Sequence, residues 1–579
     1  MGSDESQQFR SSVTDRWNAS NELLTKAKRA FPGSNRIIGP DSDKLPFRGR
    51  SWTELLNAYG VFTTCAIKPV VANADKLIAL GEAVVGKKLT YGIIKHTFFA
   101  HFCGGENVDD IRPTIDRLQR HRINTILDYA AESDLDAPVD GEMPSEVMEA
   151  TPQSGLDMMH AKTPSGMYPL SVEKYSDLNN RLFLTAINAA ADVTPPGETA
   201  FVSVKVTALA NPNLLERVST VLTEMHRLFE RFDVDGDGFV SWDEFEVMYP
   251  ELFVEPLKPG DEDARKQRML KVFRYLDPKR SGYIDLVQWS SRFRIEDLPS
   301  VVSRCRSGGP LLDSMLTAEE LQLWRRLQAR VHSVASRASA LGVKVLVDAE
   351  HSYFQRAIDN LAMQVMAKFN RGGNAVVMNT YQCYLKDSHT RLLVDLERAE
   401  RENFTLGAKL VRGAYMNMER ERAAERGYPD PIHDTLQDTH DCYNRSVAAA
   451  LLAARRGRAA LMVASHNAES IELTGSMMNQ LEMEPSAPVY FAQLYGMADD
   501  LTWPLAAKGY RAYKYLPYGP VAEVVPYLVR RAVENASVMA GPGGGGAGAE
   551  RRKLRAEFWR RLTGRASPAA AEQEVAQQS

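Results

Sequence analysis

The chain has 579 residues, 44% hydrophobic and 25% charged, with a net charge of −4, which allows one large core plus an added module because single cores stop growing near about 250–300 residues. That near balance excludes nucleic-acid binding through overall charge, and five scattered cysteines without a Cys-x-x-Cys pair exclude a disulfide framework and fit a reducing compartment. No apolar run approaches the roughly 18 residues of a membrane span, and the N-terminus, with Asp4 and Glu5, shows no recognisable Arg-rich leader.

Residues 1–90 read as an N-terminal helical region. Within it, residues 81–88 imitate a phosphate loop but end in Lys88 where a magnesium-binding hydroxyl belongs. Residues 91–211 hold β-branched runs at 126–129 and 201–207, separated by an acidic stretch rich in Pro, Met and Ser at 133–166 that reads as a linker. Further runs follow at 345–350, 375–381, 409–415, 461–466, 489–495 and 513–517, with helical patterns such as 354–369 and 436–454 between them. Eight strands alternating with helices predict a (β/α)8 barrel occupying 91–211 and 310–540. Its chemistry belongs at the carboxyl ends of the strands, which carry Asp128, Lys205, Asp348, Glu350, Arg412, His466 and Tyr515. No G-x-G-x-x-G follows a strand, so any cofactor must be held by the barrel itself.

The distance from Lys205 to Asp348 exceeds one crossover helix, which predicts an all-α insertion at 212–309. Residues 233–244 fit a calcium loop, with Asp233, Asp235 and Asp237 as oxygen ligands, Phe239 through its carbonyl, Ser241, and a bidentate Glu244, around the turn glycine Gly238. A second loop at 277–288 keeps Gly282 but has Lys279 and Gln288 where carboxylates belong, and reads as a structural partner without calcium. The two together resemble an EF-hand pair, and residues 310–342 supply the delayed barrel helix.

Towards the C-terminus, Arg530 and Arg531 follow the last strand. Pro526 is expected to open a helix at its first turn, placing both arginines in the opening turns. Paired guanidinium forks suit a small carboxylate, while Arg530 and Glu534, four apart, also read as a surface pair. Residues 541–549 are a glycine linker within a tail spanning 541–579. The basic segment 550–565, with Leu554, Phe558 and Leu562 four apart, reads either as a lipid contact or as a solvated helix.

The runs Val347-Asp348-Ala349-Glu350, Asn379-Thr380-Tyr381-Gln382, Lys409-Leu410-Val411-Arg412-Gly413-Ala414-Tyr415, Ala464-Ser465-His466-Asn467, Gln493-Leu494-Tyr495-Gly496-Met497 and residues 513–535, in register over eight strands, resemble the proline dehydrogenase family, most closely its eukaryotic mitochondrial branch. The resemblance implies a barrel whose last helix lies over the strand ends and which uses FAD to oxidise L-proline to Δ1-pyrroline-5-carboxylate. It implies electron transfer to ubiquinone and peripheral contact with the matrix side of the inner mitochondrial membrane. It also implies that Arg530, Arg531 and Lys205 hold the substrate carboxylate, Tyr515 packs on the ring, Asp348 orients that tyrosine, and Leu410, Ala414 and Tyr415 line the pocket. Glu132 would gate it by pairing with Arg530. For the flavin it implies Asn379, Gln382, Lys409, Val411, Arg412, Gly413, Ala414, His466, Asn467, Gln493 and Glu534, with the division of labour between Lys409 and Arg412 open.

Two other readings stand beside this one. A hydroxyproline dehydrogenase shares the barrel but resembles a sequence with serine in place of Tyr515. A calcium-responsive binding protein on an inactive barrel is the alternative of another class.

Overall fold

The computed structural model describes residues 3–30, 37–38, 50–129, 170–253, 262–299, 310–538 and 547–563. Ten strands follow in chain order: β1 Ile123–Tyr129, β2 Phe201–Val204, β3 Phe239–Ser241, β4 Tyr283–Asp285, β5 Lys344–Val347, β6 Val377–Gln382, β7 Leu406–Val411, β8 Ala459–Ala464, β9 Val489–Leu494 and β10 Arg511–Tyr518. All but β3 and β4 are parallel and close a barrel in the order β1, β10, β9, β8, β7, β6, β5, β2. These are the eight strands the β-branched runs predict. They read as nearly continuous apolar stretches because a parallel sheet is covered on both faces.

Alternation along the strands separates two cores. Ile126, Phe201, Leu346, Met378, Met462, Tyr490 and Tyr513 fill the barrel interior. Leu127, Val202, Val345, Val377, Leu410, Val463 and Phe491 point outward into a larger cluster shared with the surrounding helices. Asp128 pairs with Ser203 across β1 and β2, and Val204 with Val347 across β2 and β5. This register brings Asp128, Lys205 and Asp348 to one end of the barrel.

Between β2 and β5, helix Pro212–Phe232, with Pro212 at its first turn and Asn211 capping it, leads into two helix–loop–helix units. β3 and β4 join their loops as an antiparallel pair, Val240 opposite Ile284. Ser219 of the first helix accepts the Ala357 N–H of barrel helix Ser352–Phe369 at 3.1 Å. Helix Ala318–Leu341 then returns the chain to the barrel. It starts at a capping box between Thr317 and Glu320 and stops at Gly342, whose φ of +68° is the left-handed stop that glycine supplies.

Two expectations need correction. The last barrel helix is Val521–Val538, and Pro526 lies inside it rather than at its first turn. The Pro520 carbonyl accepts the N–H groups of Glu523 and Val524 and so nucleates the helix earlier. Arg530 and Arg531 therefore sit mid-helix, where the macrodipole has little effect. The tail forms helix Ala547–Leu562, beginning inside the expected glycine linker. Its Leu554 and Phe558 pack against Leu55, Ala58 and Phe62 of helix Trp52–Cys65, so the chain itself covers those two positions of the stripe, while Leu562 stays exposed. The 133–166 stretch and Glu132 lie outside the described residues.

Candidate active site

A buried chain of alternating charges crosses the strand ends. Lys205 Nζ donates to Asp128 Oδ1 at 3.0 Å and lies 3.8 Å from Asp348 Oδ2. Lys409 Nζ donates to Asp348 Oδ1 at 2.6 Å, and the Tyr515 hydroxyl donates to Asp348 Oδ2 at 2.8 Å. Lys409 Nζ also lies 5.2 Å from the centre of the Tyr515 ring. Strands β1, β7 and β10 and the segments directly after β2 and β5 thus each contribute one member.

Charge and burial compete at each group. Burial would push the Lys205 ammonium down, but Asp128, Tyr515 and Asp348 hold it well above the usual lysine range. Burial raises the Asp348 carboxyl, and Lys409 and Lys205 overcome that to hold it below the usual carboxylate range. The Tyr515 hydroxyl is raised well above its ordinary range by burial and then by the two aspartates, so it stays a donor.

Helix Val521–Val538 adds the arginines. Arg531 donates from Nη2 to Glu534, and its guanidinium lies 4.9 Å from the Tyr527 ring centre. Burial would depress it, yet Glu534, Tyr527, Tyr515 and Tyr415 keep it above its ordinary range. Arg530 is pushed down to about 10, by burial and then by Arg531, despite Glu534 and Asp128. It still carries its proton at neutral pH. Among the described residues, Arg531 Nε and Asp128 Oδ2 are buried without a hydrogen-bond partner. A small anion beside this helix would offer an acceptor to Arg531 Nε.

Other expected residues divide by strand face. Gln382 is buried on the inner side, donating from Nε2 to the Glu350 carbonyl at 2.7 Å. His466 opens on the strand-end mouth, where its Nε2 accepts the Leu494 N–H at 3.0 Å. The surrounding protein, then Lys514 and Arg531, lower its pKa from the ordinary imidazole range. Tyr415 lies against His351, with ring centres 4.3 Å apart and planes tilted by 36°, and follows Gly413 and Ala414 in the turn after β7. Gly413 has a φ of +132°, and a Cβ there would meet the Tyr384 ring at 2.6 Å, so only glycine fits.

The structure does not bring Asn379, Leu410, Arg412 or Gln493 to the barrel mouth, because alternation turns them outward. Asn379 Nδ2 donates to Asp359 at 2.8 Å, and Gln493 accepts from Thr502 Oγ1 at 2.9 Å. Arg412 donates to His440 Nδ1, Ser465 Oγ and Ser470 Oγ, each at 2.9 Å, over the Tyr443 ring. Leu410 is fully buried in the outer cluster. Asn467 caps helix Ala468–Gln480 through the Ser470 N–H. Asp128, which the sequence marks only as a strand end, is the direct partner of Lys205. Its position two residues beyond inward-facing Ile126 signals that it faces the barrel mouth, though not which residue it meets.

In the inserted segment, carboxylate oxygens of Asp233, Asp235 and Asp237 lie within 4.8 Å of one another. Glu244 Oε1 accepts the Val234 N–H at 2.9 Å. The Asp233 carboxyl is raised, by burial and then by Asp237 and Glu244, despite donation from the Gly238 and Asp237 amides.

The family model described as proline dehydrogenase matches residues 111–540. Proline dehydrogenase 1, mitochondrial, of Homo sapiens is 35% identical over 94% of this chain and 94% of its own length. Hydroxyproline dehydrogenase of Bos taurus is 29% identical over 92% of this chain and 95% of its own. The crystal structure of proline utilization A from Bdellovibrio bacteriovorus inactivated by N-propargylglycine aligns with a TM-score of 0.49 at 15% identity, covering 98% of this chain and 44% of that one. The chain thus spans under half the length of that protein.

Proposed function

The chain belongs to the proline dehydrogenase family, and we propose that it oxidises L-proline to Δ1-pyrroline-5-carboxylate in the mitochondrion, with FAD at the strand ends and ubiquinone as electron acceptor. The observation that carries this reading is buried Arg531, with an unpartnered Nε and half-buried Arg530 beside it on the last barrel helix, together with the buried chain Asp128, Lys205, Asp348, Lys409 and Tyr515. The excess of cations there fits both a substrate carboxylate and the negative charge of a reduced flavin.

Arg530 and Arg531 would bind the carboxylate, with Lys205 beside it. The same cations lower the pKa of the substrate amine, favouring the neutral form from which C5 can lose hydride as the N–H proton departs and the C5=N bond forms. Tyr515, its hydroxyl fixed by Asp348, would present its ring to the pyrrolidine. Lys409, Gln382, His466 and Glu534 would hold the cofactor, which supplies the hydride acceptor when bound. Glu132 remains the proposed gate.

Titrating purified protein with proline and following the flavin absorbance tests this. Bleaching is expected, and protein without a flavin spectrum would favour the inactive-barrel reading. Arg531→Met should lower kcat/KM for proline by about 100-fold or more, because it removes a charged contact to the substrate anion. Equal kinetics would remove the carboxylate assignment. Tyr515→Ser should shift turnover from proline towards trans-4-hydroxyproline, since a ring-packing tyrosine leaves little room for an added hydroxyl. If the parent already turns over hydroxyproline as well as proline, the alternative substrate reading is the better one.

The acidic cluster at Asp233, Asp235, Asp237 and Glu244, with the Phe239 carbonyl and Ser241, would bind calcium as the first loop of an EF-hand pair, and calcium would modulate the enzyme. The antiparallel β3–β4 link between the loops supports the pairing.

A further inference from the structure

Lys205 stands at a position whose local chemistry it cannot serve. It is the N-cap of the short 3-10 helix Val206–Leu209, every residue of which is buried. An N-cap side chain ordinarily offers an oxygen to the first free N–H groups of its helix. An ammonium can only donate, and no cap bond comes from the Lys205 side chain, whose Nζ is turned to Asp128 and Asp348. The buried N–H groups of this turn therefore need an acceptor from elsewhere in the chain.

Glu350, just past the end of β5, supplies it. Its Oε1 accepts the Thr207 N–H at 3.1 Å, and its Oε2 accepts the Thr207 hydroxyl at 2.5 Å. Both carboxylate oxygens are thus taken by one buried residue of the turn that Lys205 opens. Glu350 is itself held through its backbone: its N–H donates to Gln355 Oε1 at 3.2 Å, and its carbonyl accepts from Gln382 Nε2 at 2.7 Å. The far end of the turn is fixed separately, the Ala208 carbonyl by Asn179 Nδ2 at 2.8 Å and the Leu209 carbonyl by Arg330 Nη1 at 3.0 Å. Burial raises the Glu350 carboxyl, against the pull of the two Thr207 bonds, Lys205 and His351. The segment after β5 therefore gives Lys205 two things: Asp348 as a partner for the ammonium, and Glu350 as the acceptor that shapes the backbone beneath it.

We propose that Glu350 is the positioning residue for Lys205: by capping the turn that Lys205 opens, it fixes where the ammonium stands against Asp128 and Asp348, and hence where a substrate carboxylate is met. This rests on the carboxylate role of Lys205 in the proline reading and extends it to a side chain that acts through the backbone rather than on the substrate. A serine or asparagine at position 205 would cap the turn locally; a lysine committed to the charged cluster cannot, so the cap comes from the neighbouring strand end.

Steady-state kinetics and urea unfolding of the full-length flavin-loaded protein test this in Glu350→Ala, Glu350→Gln, Thr207→Val, Lys205→Met and the double variant Glu350→Ala, Lys205→Met. Glu350→Ala should raise KM for proline about tenfold, with kcat lowered less, because a charged contact to the substrate anion is displaced. Glu350→Gln keeps an acceptor for the Thr207 N–H and should recover most of that loss. Thr207→Val, which keeps the N–H and deletes the hydroxyl, should fall between the parent and Glu350→Ala. In the Lys205→Met background Glu350→Ala should change KM by less than about twofold, since residues that act as one unit are not additive. The same cycle read in urea midpoints needs no substrate, and Glu350→Ala should lower the midpoint less in Lys205→Met than in the parent. Parental KM in Glu350→Ala, or an equal penalty with and without Lys205, overturns the proposal and leaves Glu350 a structural cap. Parent flavin that proline does not reduce, with the urea cycle still coupled, removes the proline reading but keeps Glu350 as the residue that places Lys205. Should Glu350→Ala fail to fold, Thr207→Val carries the same cycle.

Discussion

Asp348 accepts from Lys409 and Tyr515 and lies 3.8 Å from Lys205, so asparagine there would leave two buried ammonium groups facing a neutral amide. Breaking a buried pair in this way costs about 3–5 kcal/mol, and Asp348→Asn should lower stability by that order in urea unfolding. The pH dependence has a definite sign. The folded-state carboxyl is held below its ordinary value by Lys409 and Lys205 against burial. Its contribution is therefore present above the unfolded pKa of about 3.9 and is lost as pH falls through the lower folded value. The stability gap between parent and variant should stay level from about pH 5 to 8 and close on further acidification. A gap that widens in acid would mean that the aspartate is not paired as described.

At the level of single elements, strand alternation decides which polar residues can reach the mouth. Lys409 and Arg412 both look like flavin-site cations in the sequence. In β7 Lys409 faces inward to Asp348, while Arg412, just past the strand end, is tied to His440, Ser465 and Ser470 outside. Lys409→Met should therefore change the flavin spectrum and slow reduction by proline, whereas Arg412→Met should lower the melting temperature with KM for proline unaltered. The reverse pattern would place Arg412 in the site. The eight strands were legible because each is a short β-branched run ending in a polar group, and the barrel follows from their alternation with helices. The facing of each residue was also available, by counting in twos from Lys409, but similarity in motif order had grouped inward and outward residues together. The start of the last helix was not legible, because Pro526 looks like a first-turn residue until the Pro520 carbonyl is seen to cap an earlier turn. The pairing of Asp128 with Lys205 depends on the register of β1 against β2, which no local pattern specifies.

Across the whole molecule, the inserted helix–loop–helix pair is ion-paired to two barrel helices. Glu216 of helix Pro212–Phe232 pairs with Arg422 of helix Met416–Arg426 at 2.5 Å, and that helix starts directly after Tyr415. Asp285, in the second loop, pairs with Arg401 of barrel helix Ser388–Arg401, which also holds Glu397 at 2.8 Å. An ion bound at Asp233, Asp235, Asp237 and Glu244 would stiffen β3, and through β4 the loop that carries Asp285. If calcium modulates the enzyme through these contacts, linkage requires the effect to run both ways: whatever factor calcium applies to proline affinity, proline must apply to calcium affinity. Couplings of this kind are typically about 5–150-fold. Calorimetric titration of calcium, with and without saturating proline, should give that factor, and the calcium dependence of the proline dissociation constant should match it. Glu244→Gln, which removes the bidentate charge at loop position twelve, should weaken calcium binding by more than about tenfold. Arg422→Met should leave calcium binding in place but reduce the coupling, because it cuts the contact to the helix after Tyr415 without touching the loop. Calcium that binds with no difference between proline-free and proline-saturated protein would make the insertion a calcium-stabilised support rather than a regulator.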